Sequence, residues 1–104
     1  MDARIYVEES TFLASEEEVR EMCTHTRGLV GVHYAFSYGR SVKQVLELKE
    51  AVRKDFPDMK DRDMTVWILD MDETIRHASV MTLYIEIPVD DYLRLRQENR
   101  IDIK

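Results

Sequence analysis

A chain of 104 residues with one cysteine and three histidines has few carriers of chemistry. Cys23-Thr24-His25 sets a thiol and an imidazole two residues apart, and His33 and His77 are the other imidazoles. A zinc site needs three or four converging ligands at a recognisable spacing, and two neighbours at a helix end fall short of that. A thiolate nucleophile needs an electropositive setting and a base. Cys23 instead continues the apolar stripe Val19, Met22, Cys23, where a thiol packs as a small hydrophobe. Tyr38-Gly39-Arg40-Ser41 offers a different chemistry, a strand-to-helix turn at which the first helical N–H groups and the Arg40 guanidinium can face an anion. With one glycine and no following Lys-Ser/Thr it is not a nucleotide cradle. His33 and Arg40 mark a candidate ligand or anion pocket, bounded by the small-residue strand face Gly31, His33, Ala35 and a covering helix. The remaining pattern is Asp70-Met71-Asp72-Glu73-Thr74, directly after the apolar run Val66-Trp67-Ile68-Leu69.

That string resembles the first motif of the haloacid-dehalogenase-like phosphatases, in which a strand ends in Asp-x-Asp-x-Thr. The resemblance implies Asp70 as nucleophile, Asp72 as general acid and Mg²⁺ beside both, with Val89-Asp90-Asp91 in the place of the family's paired distal acids. A carboxylate attacks phosphorus well only when a metal neutralises the phosphate and a second acid protonates the leaving group. The likeness covers five residues, and 30 residues follow Thr74, where the family's doubly wound sheet needs several βα units. Two carboxylates two apart on a strand also simply share its solvent face. Mg-dependent phosphatase-like chemistry at Asp70 and Asp72 is therefore the minor reading. No catalytic residue, cofactor or metal ligand is assigned.

Composition narrows the partners. Asp+Glu 21 against Lys+Arg 15 gives a formal charge of −6, which repels a phosphate backbone unless the basic side chains gather on one face. Arg94, Arg96 and Arg100 come nearest to such a gathering, but Asp90, Asp91, Glu98 and Asp102 surround them, so nucleic acid is disfavoured. One cysteine cannot form an intramolecular disulfide. The first residues lack a basic region followed by an apolar core, and no run approaches the ~18 apolar residues of a membrane span. The expectation is a cytoplasmic protein with no membrane association, formed as one domain over residues 1–104.

The changes of period give the elements. Ile5 and Val7 alternate with Arg4, Tyr6 and Glu8 as in a half-buried strand. Ser15 and Glu18 form a capping box that opens a helix ending near Gly28. From Leu29 to Tyr38 the period is two again, with Val30, Val32, Tyr34, Phe36 and Tyr38 on one side and Gly31, His33, Ala35 and Ser37 on the other. Ser41 and Gln44 form a second capping box before a helical stripe of Val42, Val45, Leu46, Lys49, Val52 and Phe56, broken by Pro57. Met64 to Met71 is apolar on both parities, the pattern of a strand covered on both faces. With Val80 to Ile87 it makes an antiparallel hairpin. Asp90 or Asp91 caps a last helix through about Asn99 carrying Tyr92, Leu93 and Leu95, and Ile101 and Ile103 allow a short C-terminal strand. The predicted fold is α+β: a four-stranded, mainly antiparallel sheet with helices packed on one face, in the order β-α-β-α-β-β-α.

Three helices cover one side of such a sheet and leave the other poorly covered, yet the strands carry large aromatics. Tyr34, Phe36, Tyr38, Trp67 and Tyr84 are the candidate interface residues. The leading functional expectation is a small acidic non-enzymatic interaction domain, a regulator, inhibitor or adaptor, acting through a sheet face on a protein partner and forming a homodimer. The alternative is a small-ligand or anion-binding protein or enzyme using His33 and Arg40.

Overall fold

The computed structural model describes residues 3–36, 42–70 and 79–103. Five strands form one sheet: β1 (Arg4–Val7), β2 (Leu29–Ala35), β3 (Thr65–Asp70), β4 (Ser79–Pro88) and β5 (Ile101–Ile103). Their spatial order is β3-β4-β2-β1-β5. All neighbours are antiparallel except β1 and β5, which are parallel. The helices are α1 (Glu9–Leu13), α2 (Glu16–Met22), α3 (Val42–Asp55) and α4 (Val89–Gln97), with short 3₁₀ turns at Cys23–Thr26 and Asp61–Asp63. β2-α3-β3 leaves a gap that β4 fills, and β4-α4-β5 passes β2 and β1, so the two crossovers are split β-α-β units. The α+β class stands, but the sheet has five strands where four were expected. The C-terminal strand is a full member, pairing Ile101 with Ile5 and Ile103 with Val7.

One face of the sheet carries the core. Ile5, Val7, Val30, Val32, Tyr34, Leu83, Ile85 and Ile87 share it with Val19 of α2, Leu48 and Val52 of α3, and Tyr92 and Leu95 of α4, all buried. The register aligns these side chains, pairing Val32 with Ile85 and Tyr34 with both Leu83 and Ile5, so one parity of each strand meets the helices.

Local chemistry sets the helix ends. Ser15 Oγ accepts from the Glu18 N–H, and Glu18 Oε1 accepts from the Ser15 N–H, the full capping box at α2. These bonds hold the Glu18 carboxyl below its ordinary value. Residue Ser41 of the second expected box lies outside the described residues. α4 differs from expectation: Pro88 is its N-cap, and Asp90 and Asp91 lie in the first turn, favoured there by the helix dipole. Its far end closes as a Schellman motif, with Asn99 left-handed at φ 59, its N–H donating to Arg96 O, and the Arg100 N–H donating to Leu95 O.

The stripe of α3 is rotated from the expected one. Leu48 and Val52 are buried, while Leu46 is 60% exposed. Two overlapping stripes satisfy the helical period here, and the helix buries the one that faces β2 and β4. β3 is corrected more deeply. It is an edge strand, paired on one side only, with Val66 40% and Trp67 42% exposed, so its two apolar parities do not mark a strand covered on both faces. Among the described residues no helix is long and apolar enough to cross a membrane.

Candidate functional site

The sheet face away from the helices carries the other parity: Arg4 and Tyr6 from β1, Gly31, His33 and Ala35 from β2, Thr82, Tyr84 and Glu86 from β4, and Thr65 and Trp67 from β3. Register places Tyr84 between His33 and Thr65, and Thr82 between Ala35 and Trp67. The outcome is an aromatic cluster. The Trp67 and Tyr84 rings lie 5.4 Å apart at 30°, and both touch His33, Trp67 edge-on at 5.4 Å and Tyr84 at 5.1 Å. His33 is 9% exposed beneath them, and its Nδ1 shares a 3.2 Å hydrogen bond with Thr82 Oγ1. Burial pushes the Tyr84 phenol above its ordinary value, and the neighbouring Glu86 charge adds to this.

Gly31 makes the arrangement possible. A Cβ there would sit 2.7 and 2.9 Å from two Tyr84 ring carbons, closer than any packed methyl, so the ring lies over Gly31 because nothing projects from it. Gly31→Ala is expected to swing the half-buried Tyr84 ring away. Trp67 emission should then change while stability moves by no more than about 1 kcal/mol. Fluorescence alongside urea unfolding checks this, and unchanged emission would mean that Gly31 does not place the ring.

Tyr84 and Thr65 also line a groove of about 660 Å³ at the sheet's end, with Leu29, Phe56, Met59 and Pro88 as its apolar wall. Its charged residues are Asp55, Asp58, Arg62, Asp63, Glu86 and Asp91. Asp55 is held by Arg100, and Asp91 by Arg94. Asp58, Asp63 and Glu86 are exposed and have no ion-pair partner among the described residues. The acid density of Asp58 to Asp63 is plain in the sequence, but its meeting with Glu86 and Tyr84 depends on the fold.

The sequence-derived candidates separate by face. Trp67 and Tyr84 come together on the helix-free side. Tyr34 is 1% exposed in the core, and Phe36 is half-buried against that core, so neither joins the aromatic surface. Tyr38 and Arg40 lie outside the described residues, as do Asp72, Thr74 and His77. Asp70 ends β3 opposite Ser79. Asp90 of the phosphatase-like pattern pairs with Arg20 at 2.9 Å. Cys23 is buried, as its place on the stripe predicts. Among the described residues, no group of three His, Cys, Asp or Glu side chains is arranged to hold a metal ion.

A network that sequence reading missed sits behind the groove. The Tyr34 hydroxyl donates to Asp55 Oδ2 at 2.7 Å, and Arg100 grips the same carboxylate at 3.2 and 2.9 Å. Burial, and then the bond to Asp55, raise the Tyr34 phenol far above its ordinary value. The folded phenol therefore keeps a proton that the unfolded chain loses above about pH 10, so the associated stability is whole below that pH and is lost as pH rises beyond it. Tyr34→Phe is expected to flatten the alkaline fall of the urea midpoint. An identical slope in both proteins would contradict the sign.

No protein-family model, curated protein or solved structure matches this chain.

Proposed function

We propose that the chain is a protein-interaction domain whose working surface is the helix-free sheet face at the β3 edge, centred on Trp67 and Tyr84. A regulator, inhibitor or adaptor works through such a surface. The observation that carries the reading is the placement of the single tryptophan. It is 42% exposed on an edge strand, backed by Tyr84 and His33, with Val66 40% exposed on the same strand. Trp and Tyr with a buried backing are the side chains that anchor interfaces. The strand itself, Thr-Val-Trp-Ile-Leu-Asp, has neither the lysine nor the proline that commonly blunts an edge, and its register with β4 is unbroken.

A photo-crosslinking side chain at Thr65, which is exposed on the same face of β3 and leaves Trp67 in place, compared with one at Glu47 on the exposed side of α3, tests the reading in extract of the cells that make the protein. Discrete protein adducts at 65, absent at 47 and weakened by Tyr84→Ala, are expected. Equal labelling at both positions, or none at 65, would overturn it.

The edge also favours a second reading, in which a second copy of the chain adds its own β3 to form a homodimer. Sedimentation of the pure protein separates the two, because only the second reading expects a stable dimer.

A further inference from the structure

From the charge around this face we infer the chemistry of its occupant: a segment of a partner protein bearing spaced Lys or Arg side chains. The inference rests on the sheet face being a docking surface and adds what docks there. Trp67 and Tyr84 present two rings 30° from coplanar, with Trp67 open to solvent. Aromatic faces attract cations, guanidinium above all. The groove that shares Tyr84 and Thr65 with this platform holds Asp58, Asp63 and Glu86 without ion-pair partners among the described residues, against the single Arg62. An occupant that covers Trp67 and runs into the groove meets uncompensated negative charge next to π faces.

Other occupants fit less well. The acids do not gather as a metal site among the described residues, so they suit cations spaced along a chain better than one bound ion. A second copy carries the same acids and the same −6 charge, and pairing two β3 edges antiparallel sets Asp63 of one copy towards the Asp70 end of the other's β3. Like charges brought together in this way oppose the contact. An extended segment that carries both apolar and basic side chains on the one face it turns to the sheet satisfies both features, its apolar side chain on Trp67 and its basic ones towards Glu86 and Asp63.

The test is selection from a displayed library of random peptides of about twelve residues against the full chain, followed by titration of the winners using Trp67 emission, which a lone tryptophan reports without ambiguity. Selected sequences should be enriched in Arg and Lys. Their binding should weaken about tenfold in Glu86→Lys with Asp63→Lys, and about as much on raising salt from about 0.1 to about 0.5 M. Circular dichroism checks that this double variant, at two exposed positions, keeps its fold. Neutral or acidic winners that still lose binding on Tyr84→Ala would overturn the basic occupant and leave the docking face standing. Winners indifferent to Tyr84→Ala and Gly31→Ala would overturn the docking face itself. A stable dimer in sedimentation, with Trp67 buried in it, would replace the basic segment by a second copy.

Discussion

Asp55→Ala is expected to lower the free energy of unfolding by about 3 kcal/mol, a large share of the roughly 5–15 kcal/mol that holds an ordinary domain together. Asp55 is the last residue of α3, where a negative charge opposes the helix dipole. Its value lies in what it joins: the Tyr34 hydroxyl from near the C-terminal end of β2 and the Arg100 guanidinium from the turn between α4 and β5. Tyr34 is buried, so removing the carboxylate strands its O–H without a partner, and orphaning such a group costs about 1–3 kcal/mol. Arg100, better exposed, loses a two-point bond but returns to water. The same reasoning makes Tyr34→Phe a partial cure. In the double variant no buried hydroxyl is orphaned, so its loss should be clearly smaller than the two single losses added together. Urea unfolding of the four proteins measures the cycle. Strict additivity, or an Asp55→Ala loss within 0.5 kcal/mol of zero on the scale of ordinary surface changes, would show that the clamp is not a clamp.

The second large effect falls on binding. Trp67→Ala should weaken the partner by about thirtyfold or more, the scale of about 2 kcal/mol at which a tryptophan anchor is recognised. Leu46 supplies the control, because it is the more exposed of the two at 60% yet lies on α3 away from this face. Exposure alone makes Leu46 the better candidate. Its setting makes it the worse one, since it stands on a helix flanked by Glu47 and Glu50, with none of the ring backing that Tyr84 and His33 give Trp67. Leu46→Ser is accordingly expected to leave affinity within about twofold of the parent. Equal losses in both variants would mean that general stickiness is at work and no particular face.

Much of the fold was legible because its signals are local. Ser15 and Glu18 stand three apart and build the box they predict. The alternation of Ile5, Val7, Val30 and Val32 sorts the faces of β1 and β2 as observed. What stayed hidden depends on neighbours distant in sequence. A strand with two apolar faces reads the same at the centre of a sheet and at its edge, and only the place of β3 beyond β4 reveals that Val66 and Trp67 are exposed. The choice between Leu46 and Leu48 turns on the rotation of α3 over β2 and β4, which its own sequence leaves open. β5 has three residues, too few for a period, and exists because β1 offers it a parallel edge.

The site divides in the same way. Trp67 and Tyr84 were candidates from residue type and parity, but sequence ranked them equally with Tyr34, whose side chain points into the core. The register that sets Trp67 beside Thr82 and Tyr84 beside His33 joins residues of three strands, and Gly31 takes its meaning only when Tyr84 arrives above it. The Tyr34–Asp55–Arg100 network spans separations of 21 and 45 residues, and no local spacing announces it.

Collisional quenching of Trp67 by acrylamide, with and without a saturating bound peptide or partner, tests the docking face most directly, because the chain's single tryptophan lies at its centre. The expected result is quenching that is efficient in the free protein and falls severalfold in the complex as the ring is covered. Quenching that stays at its free value while the partner is fully bound would place the interface elsewhere and contradict the role given to this face.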